Sequence, residues 1–321
     1  MKYIDMHCDT ITKMFLSNEK LSHNDNHIDI QKLKKGECFI QNFAIFTNLA
    51  KEDSSFTKKC IDFYYSELNE CKDDIAPVLK YEDIFVNESN CKINSLLTLE
   101  EGSIIDGDLN NLQYYYDKGV RMITLTWNYY NGIGYPNFDL SKPIDGNPTY
   151  INDTKNGLTD FGIEFIRRCE ELGIIVDVSH LSDKGFYDVL NNTTKPFVAS
   201  HSGARTVCRA VRNLTDDMIE KLANRGGVTG VNFCPSFISE DINNHTTVDG
   251  IVNHIRHIVN VGGIECIGIG SDFDGIGGTQ EIKDASGMQM LYEALRKYYS
   301  DDDIEKIFYK NVLRVYKDCL K

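Results

Sequence analysis

Three of the eight histidines in this chain stand at the ends of apolar runs that read as β-strands. His7 lies near the end of Tyr3–Asp9, His180 directly follows Ile174–Ser179, and His201 directly follows Phe197–Ser200. Carboxylates take the same place elsewhere. Glu100 and Glu101 follow Ile93–Leu99, Asp272 follows Cys266–Ser271, and Asp9 stands two residues beyond His7. On an extended segment that spacing turns His7 and Asp9 to the same side. An acid closing a buried strand is costly unless it is paired or bound to a cation. Imidazole with carboxylate is the donor set of zinc-like ions, and this collection suffices for two ions bridged by one carboxylate.

The remaining candidates offer less. His23-x-Asp25 and His27-x-Asp29 repeat the His-x-Asp spacing, but no strand precedes them, and they read as a solvated loop. His245 reads as a loop residue. His254 and His257 lie three apart on a predicted helix, a spacing that can hold a metal, yet that helix packs outside the strands. Gly268-Ile269-Gly270-Ser271-Asp272 lacks the third glycine of a dinucleotide fingerprint and sets an acid where a phosphate would lie. Asp272-Phe273-Asp274-Gly275 brings its glycine too early for a calcium loop. The His-x-His that opens many metal-dependent barrel hydrolases is absent, and the fourth strand carries no lysine to bridge two ions. Glu100 is placed to do so instead.

These residues need a scaffold that brings distant strand ends together. Besides the runs named above, strands are expected at Phe39–Phe46, Arg121–Thr126 and Gly227–Phe233. Helical periodicity between them is clearest at Asp160–Leu172, Thr215–Ala223 (with Thr215 as cap) and Val248–Val261. Continuous apolar strands, each followed by a helix, imply a parallel sheet covered on its outer face. Eight such units favour a closed (β/α)8 TIM-type barrel over a doubly wound sheet, and barrel strand ends converge on one active-site face. We expect one domain over residues 1–321, with insertions near 47–92 and 127–158, the latter forming a lid or pocket wall. Phe56–Cys71 reads as a helix within the first insertion, and Ser300–Leu320 as a helix pair capped by Ser300 or Asp301.

Composition bounds the partners. The chain has 321 residues, 34 basic against 48 acidic, for a net charge of −14. That excess opposes binding to nucleic acid or to an anionic membrane surface. No apolar run approaches the roughly 18 residues of a transmembrane helix, and the N-terminus has no apolar leader. A cytoplasmic enzyme is therefore expected, with a homodimer left open. The ten cysteines include no Cys-x-x-Cys, and reduced thiols are the expectation.

Six ordered segments resemble the renal (membrane) dipeptidase family of zinc peptidases. Asp5-Met6-His7-Cys8-Asp9-Thr10 is similar to its opening motif, and Leu97-Thr98-Leu99-Glu100-Glu101-Gly102 to the segment of its bridging glutamate, in a register that favours Glu100. Val176–Ser182 and Ala199–Ala204 resemble its later histidine motifs, Val207–Asn213 its carboxylate-binding arginine segment, and Gly270–Gly275 its catalytic aspartate segment. The resemblance implies two Zn2+ per chain, other divalent ions being compatible with the same donors, held by His7, Asp9, Glu100, His180 and His201. It implies a metal-bridging hydroxide as nucleophile, Asp272 as proton shuttle and Arg212 as the clamp on a dipeptide's C-terminal carboxylate. Two positions depart from the mammalian members. Trp127 stands where they place a histidine near the scissile carbonyl, and Phe237 where a tyrosine helps hold substrate. Those departures leave a second reading, a barrel hydrolase of another amide, lactam or phosphoester. The C-terminus shows no hydrophobic tail of the kind that precedes a lipid anchor.

Overall fold

The computed structural model describes residues 1–144, 147–150, 155–240 and 244–321. Eight parallel strands form the barrel: β1 (Tyr3–Asp5), β2 (Cys38–Phe46), β3 (Ile93–Glu100), β4 (Val120–Thr124), β5 (Ile175–Asp177), β6 (Val198–Ala199), β7 (Val228–Val231) and β8 (Ile267–Ile269). Each pairs with the next, and β8 returns to β1 through Asp5 opposite Ile269, which closes the ring. The register sets Phe46, Glu100, Thr124 and Asp177 level across β2 to β5. Side chains of unlike chemistry are thereby delivered to one rim. A short strand, Ile75–Pro77, adds to the start of β3.

Period-two alternation sorts the strand residues into two cores. Ile4, Ile40, Leu96, Met122, Ile175, Val198 and Val228 meet one another inside the ring and pack on Val312, Val315 and Tyr316 of the last helix. At β8 the inward position is Gly268, where an added Cβ would stand 2.9 Å from Val312. The last helix thus plugs the N-terminal mouth, with the Tyr316 hydroxyl donating to Asn42 Oδ1 at 2.8 Å. Chemistry is left to the opposite end. The outward set, including Phe43, Leu97, Ile123 and Val176, packs under the surrounding helices.

The helices begin and end where local signals place them. Thr159 caps Asp160–Leu172 by accepting from the Gly162 amide, and Gly173 closes it in the left-handed conformation. Thr215 caps Asp216–Asn224 in the same way. All eight expected strands are present; those read at Phe39–Phe46 and Ile93–Leu99 gain one residue each, and the other six are shorter. In four of the six, an amide beyond the strand bonds an aspartate side chain: His7 to Asp5, Ser179 and Ser200 to Asp177, and Ser271 to Asp5. The expected C-terminal helix pair is instead one helical run, Asp301–Cys319, capped by Ser300. No glycine or proline interrupts it, and it includes a π turn at Lys306–Lys310. Of the 127–158 insertion, residues 145–146 and 151–154 lie outside the described residues; the described part includes an antiparallel pair, Phe138–Ile144 with Asn147–Tyr150. All ten cysteines are unpaired. Among the described residues, no helix is long and apolar enough to cross a membrane.

Candidate metal centre

At the C-terminal rim the expected residues converge. His7 Nε2 lies 3.5 Å from Glu100 Oε2, 3.6 Å from Asp9 Oδ2 and 3.9 Å from Asp272 Oδ1. Across the site, His180 Nε2 lies 3.0 Å from Glu100 Oε1 and 3.1 Å from His201 Nε2, and His201 Nε2 lies 3.6 Å from Glu100 Oε1. The two oxygens of Glu100 therefore face two different sets of donors. All six side chains are buried, and the rings of His7 and His201 stack with centroids 3.9 Å apart.

Local backbone geometry aims them. β1 ends at Asp5, so the His7–Asp9 proximity does not come from strand alternation as expected. Asp9 is the residue preceding the helix Thr10–Ser17, and that turn brings its carboxylate back towards His7. Glu101, His180 and Asp272 adopt φ values of 127°, 69° and 62°. Such conformations cost about 1–3 kcal/mol each in non-glycine residues and persist only where surrounding bonds over-determine them. Here the Asp272 amide donates to His7 O at 3.1 Å, and the Asn137 amide to His180 O at 2.7 Å.

The side chains behind the cluster were not marked by the sequence reading. Asn128 Oδ1 lies 2.8 Å from His180 Nδ1, and Asn232 Nδ2 donates to Asp272 Oδ2 at 2.8 Å. The available signal was position, since Asn128 lies two residues after the expected fourth strand and Asn232 is the penultimate residue of the seventh. Glu101 turns away from the cluster and accepts from the amides of Ser103 and Trp127 and from the Asn131 side chain, which fixes the loop after β4.

Electrostatics divide the site. Burial, reinforced by the charge of Glu100, pushes the Asp9 carboxyl up to about 8 against the opposing effect of His7. Burial likewise raises Asp272 to about 6, His7 opposing and Glu100 adding. Glu100 resists its burial because His7 and the bonds from His180 and His201 hold it well below the usual range. Burial, with Arg212 nearby, lowers His180 to about 4; burial and His7 depress His201.

The donor set fits a cation. Among the described residues, both ring nitrogens of His7 and Asp9 Oδ1 are buried without a hydrogen-bond partner. The 3.5–3.9 Å separations around His7 Nε2 are too long for hydrogen bonds. Donors at about 2.0–2.2 Å from one tetrahedral ion lie roughly 3.3–3.6 Å apart. Donor atoms of His7, Glu100 and His201, and of His7, Asp9 and Asp272, lie mutually within 4.8 Å.

Above the cluster opens a cavity of about 450 Å³ whose walls include Glu100, Trp127, His180, Phe237 and Asp272. Trp127 packs edge-on against Phe46 with centroids 4.7 Å apart. Arg212 is buried beside this cavity, Nη2 donating to His201 O at 3.3 Å while Nε and Nη1 have no partner among the described residues. Its guanidinium stands 5.5 Å from the Phe237 ring centre. The other arginines of that loop differ. Arg205 forms a two-bonded ion pair with Asp183 at 2.7 and 2.8 Å, and Arg209 is 90% exposed.

His254 is buried, accepts from the Ala204 amide at 2.9 Å and faces Ile238 O at 3.0 Å. The stretch read as a solvated loop is partly buried. Asp29 caps the helix Ile30–Gly36, and His27 Nδ1 accepts from the Asp274 amide at 2.9 Å.

The fold has counterparts. A solved structure of a metallopeptidase described as dipeptidase AC superposes with a TM-score of 0.90 at 23% identity, covering 100% of this chain and 99% of its own. A metallopeptidase from Rhodobacter sphaeroides, liganded with a phosphinate mimic of L-Ala-D-Ala, superposes with a TM-score of 0.90 at 22% identity over 99% of each chain. In sequence, an uncharacterized dipeptidase of Schizosaccharomyces pombe is 33% identical over 316 residues, 91% of this chain and 72% of the relative. An uncharacterized Klebsiella pneumoniae protein is 36% identical over 223 residues, 68% of this chain and 80% of the relative. The sequence profile described as membrane dipeptidase, peptidase family M19, matches residues 1–320. With that match spanning nearly its whole length, the chain belongs to the membrane dipeptidase family, the M19 peptidases.

Proposed function

We propose that this protein hydrolyses dipeptides at a centre of two divalent ions. His7, Asp9 and Glu100 Oε2 would hold one ion, and His180, His201 and Glu100 Oε1 the other. The observation that carries this reading is the division of Glu100 between two donor sets. Zinc is the family's metal, and manganese or cobalt suits the same donors. Such a pair, when bound, polarises a carbonyl and brings a water's pKa near neutrality.

The chain's own groups supply the rest. Asp272, with one oxygen fixed by Asn232 and the other turned towards His7, accepts a proton from the attacking water and returns it to the leaving amine. Arg212 offers two unpartnered buried N–H directions, which a substrate carboxylate would fill as a charge-assisted pair. Trp127 and Phe237 wall the cavity with apolar surface. A C-terminal carboxylate anchored on Arg212 would favour short substrates such as dipeptides.

The test is metal analysis and turnover on one purified sample. Two ions per chain are expected, with chelator-sensitive hydrolysis of L,L- or L,D-dipeptides. Turnover of a β-lactam or phosphotriester without any dipeptide would replace this reading with the second one.

A further inference from the structure

We propose that Ser200 and Asp177 form a positioning pair for His201, holding its ring with Nδ1 protonated and the Nε2 lone pair turned to Glu100. The proposal rests on the metal-centre reading above and assigns a task to two residues that touch neither metal nor substrate there.

A proton count carries it. Asp177, wholly buried at the end of β5, accepts four bonds. The amides of Ser179 and Ser200 donate to Oδ1 at 3.0 and 2.8 Å, and the hydroxyls of Thr124 and Ser200 to Oδ2 at 2.6 Å each. Ser200 has one hydroxyl hydrogen. The carboxylate oxygen at 2.6 Å takes it in preference to Ser179 Oγ at 3.3 Å. The Ser200 oxygen can then only accept from His201 Nδ1, 2.7 Å away. A neutral ring with hydrogen on Nδ1 has its lone pair on Nε2, the atom that faces Glu100 and His180.

The barrel contains its own control. Asp5 ends β1 as Asp177 ends β5, and it holds Ser271 as Asp177 holds Ser200, with the amide at 2.8 Å and the hydroxyl at 2.6 Å. Each serine directly precedes a residue of the site. Beyond Ser271, however, no ring is engaged among the described residues; its oxygen accepts from the Phe273 amide at 3.1 Å, and its hydroxyl reaches only the backbone carbonyl of His7, at 3.4 Å. A serine needed only to brace two strands would stop there. Ser200 goes one bond further.

Zinc affinity by chelator competition on the full chain separates the two roles. Ser200→Ala should weaken one of the two ions about 10- to 100-fold, the usual loss on removing a ligand's hydrogen-bond partner, and leave the other. Ser271→Ala, which loses an equally buried hydroxyl, should keep both affinities within about threefold. Equal weakening in both variants, or none in Ser200→Ala, overturns the proposal. Should Ser200→Ala not fold, nitrogen-15 histidine spectra of the metal-free wild type decide. His201 is expected as the Nδ1–H tautomer, and the Nε2–H form overturns the assignment. Wild type that takes up fewer than two ions defeats the metal-centre reading itself, a separate result from either of these.

Discussion

The site has two unlike sides. Around His7 gather Asp9, Glu100 and Asp272, more carboxylate than one imidazole can neutralise. Opposite stand His180 and His201, with Arg212 behind them. Burial disfavours charge on both sides, so it moves their groups in opposite directions: Asp9 up to about 8, His180 down to about 4. The acid side holds charge it can shed only by protonation or by a cation. On the imidazole side burial favours the neutral rings, with both Nε2 atoms turned to Glu100 Oε1 and Arg212 behind them. Under the proposed function, a peptide ending in a carboxylate would have one orientation that suits both.

Glu100 alone belongs to both sides, and its removal should have the largest effect. Glu100→Gln is expected to lose both ions on dialysis and with them all measurable turnover. Glu101→Gln should keep both ions, because Glu101 turns away from the cluster and accepts from the amides of Ser103 and Trp127 and from the Asn131 side chain. Metal content of the two variants checks this, and a sensitive Glu101 would erase the distinction between the sides.

Next in size is Asp272→Asn, expected to retain both ions and lose roughly 10²–10⁴ in turnover, the range for a general acid–base group. Asp274 cannot substitute, since Thr10, Lys13 and the His27 amide already occupy its carboxylate. Loss of an ion in this variant would make Asp272 a ligand of the acid side, where its oxygen already lies 3.9 Å from His7 Nε2.

Much of this division was legible in the sequence, for a topological reason. A parallel barrel brings all strand ends to one rim, so His180 after Ile174–Ser179 and Glu100 after Ile93–Leu99 could be placed together without knowing any distance. What stayed hidden depended on partners remote in sequence. Arg205 resembles Arg212 as a loop cation until Asp183, on another segment, claims it. His27 reads as solvated because Asp274 lies 247 residues away. Strand bounds were overestimated where Ser179, Ser200 and Ser271 bond buried aspartates. Such residues look like strand ends to any reading of apolar runs.

A smaller effect tests the imidazole side's need for an anion. Arg212→Met keeps an apolar stem and removes the fork, so kcat/KM should fall about ten- to hundredfold, the equivalent of roughly 1.5–3 kcal/mol. A C-terminally amidated dipeptide should lose a similar factor on the wild type and little more on the variant. Losses that multiply would show that the carboxylate binds elsewhere.

The smallest expected effect concerns how the imidazole side is held. His254 lies outside the cluster, but it receives the Ala204 amide on Nδ1 and so ties down the loop that leads to Arg212. Burial lowers it to about 4, the bond to Ile238 O only partly opposing. Its folded-state value lies below the unfolded value of about 6.5, so the unfolded chain takes up the proton first as pH falls. Stability from this group is complete above about pH 7 and is lost between about 6.5 and 4. The linkage amounts to about 1 kcal/mol at pH 6 and about 2 kcal/mol at pH 5. Urea unfolding of wild type and His254→Gln at pH 7.5, 6 and 5 isolates it, because every other titrating group is common to both. The variant should show a shallower loss by these amounts, and amide exchange over residues 203–212 should quicken at low pH in the wild type before exchange around His7 does. Parallel pH profiles would mean that Nδ1 keeps its bond to Ala204 across this range, leaving both sides of the site equally anchored in acid.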